Sequence, residues 1–274
     1  MSPIERVVVP LDAASEVRAV LDAAARLAAH ARARLHGVFV EDEDLLRLAG
    51  LPFARQTILG VRAEPMTAAQ IALHLRVAAL QMREALAAAA RQYALEWSFE
   101  VMRGAAEHAL ALATARDLVV AGAVTRPVAR YFRVASRWLG SAGAVPGPLL
   151  LVRTAAAGEG GVVMLLRDCK EGSARLLEAA ARIAEARSVP LTVVASRTSA
   201  AAVPGLQQWL AGELARFELQ LKIEIEPDEP LMLHRRIIEL DCRLLAVAAA
   251  EVEGTTGRLR EWIEDFSGDV LIVR

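Results

Sequence analysis

The chain has 274 residues, of which 55% are hydrophobic and 24% are charged, and its formal net charge is -1. This length suits two ordinary domains, and the composition is typical of packed globular domains rather than of disordered chains. The near-neutral charge excludes the strong basic field that holds phosphate backbones, so we expect no nucleic acid partner.

The first half of the chain alternates predicted strands and helices. The apolar run Val7–Leu11 suits a strand buried on both faces, and Ser15 can cap the helix that follows, whose apolar residues recur at helical spacing. A long helical region follows the second strand, and shorter helices separate the strands after it. The later strands are predicted at Leu35–Val40, Trp97–Met102, Leu118–Ala121 and Leu149–Val152.

The second half repeats this order of elements. A stretch at 154–161 contains three glycines and no periodicity, which predicts a linker. Five strands are predicted after it, at Val162–Leu166, Leu191–Ala195, Leu221–Ile225, Leu244–Val247 and Val270–Val273. The helices between them are predicted at Gly172–Arg187, Leu206–Leu219, Leu231–Leu240 and Gly257–Asp265.

The two halves can be aligned by offsets. Asp12 and Asp168 end the two first strands and are 156 residues apart, the same offset that separates Leu35 from Leu191 at the start of the second strands. We therefore expect one register through the first strand, helix and strand of each half, with Asp168 as the equivalent of Asp12.

The halves differ in length. Their closing strands end at Arg153 and Arg274, only 121 residues apart, so the first half carries an excess, most of it in a helical insert at about 41–75. We predict two tandem α/β domains, residues 1–153 and 162–274, each a doubly wound parallel sheet of five strands flanked by helices.

Ligands of doubly wound sheets bind beyond the carboxyl ends of the strands, where the strand order reverses. The loops after strands one and four are therefore the candidate site of each half. In the first half these loops contain Asp12 and the pattern Gly122-x2-Thr125-x9-Ala135-Ser136. A serine at a helix start and small residues beside it are features that let backbone N–H groups approach an anion.

This combination resembles the universal stress proteins, which have an acidic residue after strand one and G-x2-G-x9-G-S/T after strand four. Asp12, Gly122 and Ser136 match that pattern, whereas Thr125 and Ala135 replace glycines. The resemblance covers nearly the whole chain in topology. It implies a fold of the adenine nucleotide alpha-hydrolase type and a regulatory role in the stress response, with ATP or AMP contacted at Asp12, Gly122, Thr125, Ala135 and Ser136.

The replaced glycines weaken the expected phosphate site. Thr125 is β-branched, resists positive φ and would crowd a phosphate, whereas Ala135 adds only one methyl group. The second half departs further, because its strand-four loop, at 248–253, contains two glutamates that repel phosphates. We interpret the second half as a degenerate copy, in which Asp168 caps the next helix.

No residue set for catalysis stands out. The chain has no P-loop, no GxGxxG, no GxSxG elbow and no pyrophosphatase loop, and its two cysteines form neither a CxxC pair nor a zinc pattern. Three hypotheses remain open. The chain is a regulatory protein that binds adenine nucleotide in its first half, a scaffold without bound nucleotide, or a phosphoryl carrier or ATP-hydrolysing protein acting through Ser136.

The closing strands predict how the halves meet. Leu149–Val152 and Val270–Val273 are apolar edges, and an uncovered edge pairs readily with another strand. We expect them to pair antiparallel across a pseudo-twofold axis, with Leu150 and Ile272 near its centre. The tandem chain is then its own dimer, and it can form a homodimer through the insert or bind a protein partner. No apolar run long enough to span a membrane is present, and a reducing cytoplasm is the expected location.

Overall fold

The computed structural model describes residues 4–12, 17–43, 47, 55–56, 64–65, 67–104, 106–122, 145–153, 160–166, 171–196, 205–226, 230–253, 262–263 and 266–274. All structural statements below concern these residues.

The first half contains five strands of the main sheet. They are β1 (Arg6–Leu11), β2 (Arg34–Asp42), β5 (Trp97–Gly104), β6 (Asp117–Gly122) and β7 (Leu149–Val152). Two short strands, β3 (Arg55–Gln56) and β4 (Glu64–Pro65), form a separate antiparallel pair within the predicted insert. The helices are α1 (Val17–Ala31), α2 (Ala68–Gln92) and α3 (Ala106–Ala111).

The second half contributes five further strands. They are β8 (Val162–Leu166), β9 (Leu191–Ser196), β10 (Leu221–Glu226), β11 (Leu244–Ala248) and β12 (Asp269–Val273). The helices are α4 (Glu171–Arg187), α5 (Leu206–Leu214), α6 (Pro230–Glu239) and α7 (Ala249–Glu253). The predicted helix at Leu206 ends five residues early, and most of the predicted helix Gly257–Asp265 lies outside the described residues.

All ten long strands form one sheet in the order β10-β9-β8-β11-β12-β7-β6-β1-β2-β5. Within each half the strands are parallel, and the strand order reverses between the first and fourth strands, β1 and β6 in one half and β8 and β11 in the other. The predicted doubly wound parallel α/β fold is therefore confirmed, and its two five-stranded halves are joined edge to edge.

The junction is the antiparallel pair of closing strands. Leu150 lies opposite Leu271, with Leu149 opposite Ile272 and Leu151 opposite Val270. The predicted pairing is confirmed, but the residue at the pseudo-twofold axis beside Leu150 is Leu271, one position before Ile272. All of these side chains are buried, so the edges that each half would expose alone cover one another.

Polar contacts fix the same junction. The backbone N–H of Arg153, which follows β7, donates to Oδ1 of Asp269 at 2.9 Å, and its guanidinium donates to the carbonyl oxygen of Ile263 at 2.7 Å. Arg187 holds the second oxygen of Asp269 at 2.7 Å. On one face of the sheet, His30 of α1 lies 3.1 Å from Glu185 of α4, which links the two halves directly.

Helices cover both faces of the sheet and produce two apolar layers. One layer contains the buried faces of α1, α2, α4 and α5, and the other contains those of α3, α6 and α7. Each layer runs across both halves, so the core is continuous through the junction.

The long helix α2 begins at a capping box. The hydroxyl of Thr67 accepts from the backbone N–H of Gln70, and the Gln70 side chain accepts from the N–H of Thr67. The helix covers 25 residues and buries Ile71, Leu75, Ala79, Leu86 and Ala90. The region predicted as a helical insert therefore contains the β3–β4 pair and the first two turns of α2. No helix in the described part of the chain is long and apolar enough to cross a membrane.

Candidate functional site

The candidate site of the first half lies where β1 and β6 end side by side. These neighbouring strands are parallel, so Asp12, which directly follows β1, and Gly122, which ends β6, emerge at the same carboxyl edge. The chain leaves β1 through α1 for β2 on one side, whereas β6 and β7 lie on the other. The connections diverge there and leave the crevice in which α/β sheets bind ligands.

Asp12 is half-buried at this edge. A carboxylate in this position accepts hydrogen bonds, for example from a ribose hydroxyl or an amino group. Its placement one residue beyond a strand that is buried on both faces comes from the sheet itself, because β1 is held by β2 and β6 on its two sides.

Gly122 is needed for space rather than for an unusual backbone conformation. A Cβ atom at this position would lie 3.1 Å from Cγ2 of Val20 in α1. The positive-φ glycines of the described chain are Gly104 and Gly205, and Gly122 is not among them. The glycine therefore lets α1 pass close over the end of β6, and this approach narrows the crevice on the side of α1.

The remaining residues of the predicted site, Thr125, Ala135 and Ser136, lie outside the described residues. Of the predicted set, the structure thus brings Asp12 and Gly122 to one edge of two adjacent strands. The phosphate-binding role assigned to the other three stays a prediction.

The second half places different residues at the equivalent edge. Val7 lies opposite Leu35, whereas Val162 lies opposite Leu191, so the first strands correspond at an offset of 155 although the second strands correspond at 156. Packing agrees, because Val7, Val9 and Leu11 share their apolar layer with Val162, Met164 and Leu166.

This register corrects the alignment expected from the sequence. Arg167, and not Asp168, directly follows β8 as Asp12 follows β1. The extra residue lies in the connection to α4, since the buried α1 residues Leu21 and Ala24 correspond to Leu177 and Ala180 at an offset of 156. Arg167, which lies outside the described residues, is therefore the residue that aligns in sequence with Asp12. The predicted helix-capping role of Asp168 lies outside the described residues.

The other wall of the second crevice is also changed. Ala248 ends β11 at the position equivalent to Gly122, because it pairs with Val273 as Gly122 pairs with Val152. The segment 249–253, expected to be a loop, is the short helix α7 and starts directly after the strand. Its alanines favour a helix, and Glu251 lies in the first turn of α7, where its negative charge disfavours a bound phosphate.

Two buried polar groups lie away from this crevice. His36 of β2 has Nδ1 2.8 Å from Oγ of Ser98 in β5 and Nε2 3.8 Å from the Glu100 carboxylate. Burial, with a further contribution from the Arg6 guanidinium, lowers the pKa of His36. His36 is therefore a strand histidine with polar partners on both ring nitrogens.

At the opposite edge of the sheet, Asp117 is buried and carries the chief ion pair of the first half. Arg6 donates to it through Nε at 3.2 Å and Nη2 at 2.8 Å, and the N–H of Thr114 donates at 2.7 Å. Burial alone would raise the pKa of Asp117, but these donors outweigh burial and lower it. The pair lies at the amino ends of the strands, far from the crevice, so its role is to hold β1 against β6.

No cluster of three or more His, Cys, Asp or Glu side chains within the described ranges is placed to hold a metal ion. Cys242 is half-buried, and burial raises the pKa of its thiol to about 12. This thiol is therefore unsuited to act as a nucleophile near neutral pH.

Comparison with known proteins supports the fold. No protein-family model and no curated protein matches the chain. A universal stress protein from Archaeoglobus fulgidus DSM 4304 aligns over 97% of this chain and 95% of its own, with 12% identity and a TM-score of 0.65. A functionally unknown protein from Pseudomonas aeruginosa PAO1 aligns over 98% and 92%, with 18% identity and a TM-score of 0.58. A third structure, assigned to the universal stress proteins from Pseudomonas aeruginosa UCBPP-PA14, has 17% identity and a TM-score of 0.60 over the same shares. The chain has the two-half fold of these structures, as the resemblance implied.

Proposed function

We propose that this protein is a regulatory protein of the universal stress type that binds one adenine nucleotide, ATP or AMP, in the crevice between β1 and β6. The observation that carries the proposal is that Asp12 and Gly122 lie at the carboxyl ends of the adjacent parallel strands β1 and β6, where the strand order of the first half reverses. The fold shared with universal stress proteins supports it.

In this proposal Asp12 accepts hydrogen bonds from the ribose or the base of the nucleotide. Gly122 lets α1 lie close to the end of β6, so that the crevice is narrow enough to hold a flat group against the end of the sheet. Ser136, with Thr125 and Ala135 near it in the motif, contributes to the phosphates, where the two lost glycines lower the affinity.

The proposal assigns nucleotide binding to the first half alone. The second half has Arg167 in place of the carboxylate, Ala248 in place of the glycine and Glu251 on a helix that starts at the end of the strand. Each change removes a feature that favours the nucleotide, so one nucleotide per chain is expected.

Titration calorimetry of the full chain with ATP and with AMP, with and without magnesium, tests this proposal. We expect one site per chain and the loss of that site in Asp12→Ala. Asp168→Ala is the matched control, an aspartate near the end of the other first strand, and should bind as the parent does. Absence of heat at millimolar nucleotide, or loss of binding in the control alone, contradicts the proposal.

Comparing the affinities for ATP and AMP tests which residues contact the outer phosphates. Ser136→Ala should weaken ATP more than AMP, because a hydroxyl that contacts the outer phosphates is irrelevant to AMP. Restoring glycines at Thr125 and Ala135 should strengthen ATP binding. Native mass spectrometry of the purified protein separates this proposal from the phosphoryl-carrier alternative, since a bound nucleotide and a covalent phosphate on Ser136 differ in mass and in loss on denaturation.

A further inference from the structure

The two outer edges of the ten-stranded sheet differ. At one end β10 alternates apolar residues with Lys222, Glu224 and Glu226, and Arg236 of α6 holds both glutamates. Charged, salt-bridged side chains are the usual protection of an edge strand. At the other end β5 has eight residues and pairs with β2, and no other described strand lies on its outer side.

Although Glu100 and Arg103 of β5 also form ion pairs, an exposed apolar surface accompanies the β5 edge. Trp97 and Val101 of β5 are 37% and 47% exposed, on the face covered by α2. Leu73, Val77 and Leu80 of α2 are 59%, 44% and 60% exposed and recur at helical spacing on one side of the helix. We call these five residues the β5 surface. A groove of about 750 Å³ runs between the strand and the helix, lined by Leu80, Trp97 and Val101 among others.

The backbone of β5 is free to pair in one defined way. The N–H of Leu35 donates to the carbonyl of Glu96, which directs the even-numbered peptide groups of β5 toward β2. The N–H and C=O groups of Trp97, Phe99 and Val101 therefore point outward. An antiparallel partner strand must place its own outward residues opposite these three.

We propose that the β5 surface binds a second copy of this chain, with the two β5 strands antiparallel about a twofold axis at Phe99. This register sets Trp97 opposite Val101 of the copy, so the exposed aromatic ring meets an exposed β-branched side chain. Ser98 then lies opposite Glu100 of the copy on the other face. Both α2 helices lie on the same face of the extended sheet, where their exposed leucines flank the joined strands.

Repulsion between glutamates disfavours the neighbouring register, in which the twofold axis passes through Glu100. Centring the axis one residue later, at Glu100, also satisfies the outward peptide groups, but it stacks Glu100 directly against Glu100 of the copy, which is repulsive. The molecule already joins its halves by the same operation, since β7 and β12 pair antiparallel about a pseudo-twofold axis through Leu150 and Leu271. A second copy fits the surface because the axis at Phe99 sets the exposed Trp97 of each chain against the exposed Val101 of the other, so one surface supplies both sides of the contact.

The first test is the mass in solution. Sedimentation equilibrium of the full chain at about 100 µM, well above the dissociation constants of interfaces of standard size, should give twice the 29.4 kDa of one chain. Val101→Lys should weaken association at least about thirtyfold, the effect of losing a central contact. Ile225→Lys is the matched control, because Ile225 takes the equivalent place on β10 and is 57% exposed, and should leave the dimer unchanged.

A monomeric parent chain at that concentration overturns the proposal, whether because the 43–66 segment covers the surface or because the surface serves an unrelated partner. Equal weakening by the two lysine substitutions also overturns it, since that result places the contact elsewhere.

The second test fixes the register and does not depend on weakening the fold. The double variant Ser98→Cys, Glu100→Cys sets two pairs of opposed cysteines across the axis with Cα atoms about 4.5 Å apart, within disulfide range. Mild oxidation should give a covalent dimer on a non-reducing gel. Each single variant should remain uncrosslinked, because two copies of one residue lie about 8 Å apart, beyond the reach of a disulfide. The parent protein, with its own two cysteines, is carried through the same oxidation as a background. Absence of a crosslink in the double variant, or crosslinking of a single variant to the same extent as the double variant, overturns the register.

Discussion

The two halves of this chain share one fold but differ wherever the fold meets solvent. At the junction they are alike, with leucines and valines of β7 facing their counterparts in β12. At the carboxyl edge, Gly122 of the first half corresponds to Ala248 of the second. At the outer edges, β5 lies beside exposed apolar side chains of its own and of α2, whereas on β10 Ile225 is exposed among charged residues. Packing keeps most core positions apolar in both repeats, because a polar change there costs stability, while the exposed ends are free to acquire different roles.

Among the substitutions considered, one at the junction of β7 and β12, where the halves are alike, should have the largest effect on stability. Leu271→Lys puts an unpaired ammonium between fully buried strands, and we expect a loss of more than about 4 kcal/mol in the free energy of unfolding. Cutting in residues 154–161 by elastase, which cleaves after small residues such as the alanines there, should accelerate because β12 no longer holds β7. Ile238→Lys, at a 63% exposed position on α6, is the control and should change stability by less than about 0.5 kcal/mol. An intact junction in the Leu271 variant, judged by unchanged chemical denaturation, contradicts the role given to this pair.

The ion pair between Arg6 and Asp117 is a further difference between the two halves, and breaking it should have the next largest effect. The second half has Gly161 and Arg243 at these register positions, joined only by a backbone hydrogen bond of 3.1 Å. Asp117→Asn should cost about 2 kcal/mol, less than for a fully buried pair because Arg6 is a third exposed.

The same pair predicts an acid dependence. The pKa of Asp117 is lowered in the folded chain, so its contribution is complete above the ordinary aspartate pKa and is lost as pH falls through the lowered value. Urea denaturation at several acidic pH values should show this loss in the parent and not in Asp117→Asn. Glu5→Gln, which breaks an exposed pair with Arg116, should have little effect on either measurement. Equal losses in the two variants would mean that burial of Asp117 is not what matters.

The two halves pack a helix against their second strand differently, because β2 has Gly37 where β9 has a larger residue. A Cβ at Gly37 would lie 2.8 Å from Cδ2 of Leu86 in α2, whereas the equivalent residue of β9 is Val193. Gly37→Ala should therefore destabilise the protein by about 1–3 kcal/mol. Gly212→Ala in α5 is the opposite case, with nothing near the new methyl group, and should stabilise the protein by about 0.5–1 kcal/mol. Thermal denaturation of both variants measures the two signs, and the same sign in both contradicts this account of α2.

The smallest expected effect concerns His36, which has no histidine counterpart in the second half, where Thr192 stands. Its pKa is lowered in the folded chain, so the unfolded chain takes up a proton first as pH falls below the ordinary histidine value of about 6.5. Stability should decline there, less steeply in His36→Gln. The charged groups that act on this ring are Arg6, Glu100 and Asp117. Denaturation midpoints between about pH 7 and 5 give the slopes, with a substitution of the exposed His74 as control.

Much of the fold was predictable because apolar runs, punctuated by glycine, proline and capping residues, give the positions of strands and helices. The bounds of β7 and β8 are those predicted. The antiparallel closing strands were also predictable, since two apolar edges on one chain must be covered. The helix α7 was missed, because a run of alanines between a strand and two glutamates was read as a loop.

The candidate site was predictable in part. The pattern at the ends of strands one and four gave Asp12 and Gly122 and their common edge. The pattern did not show why a glycine is needed at position 122. The reason is that Val20 lies close to it, and the distance between these two residues depends on how α1 crosses the sheet. The β5 surface was also missed, since an apolar helix and strand look the same whether they are buried or exposed.

The sequence by itself determined that two α/β repeats are present, where their strands lie and that the first repeat keeps more of the nucleotide-binding pattern. The tertiary structure alone decided the register of the first strands. Both β1 and β8 are buried on both faces, so neither shows the alternation of polar and apolar residues that fixes a register. Only pairing with their neighbours showed that Arg167 stands where Asp12 does. It also decided which apolar side chains of α2 and β5 stay exposed, because their exposure depends on how α2 crosses the sheet.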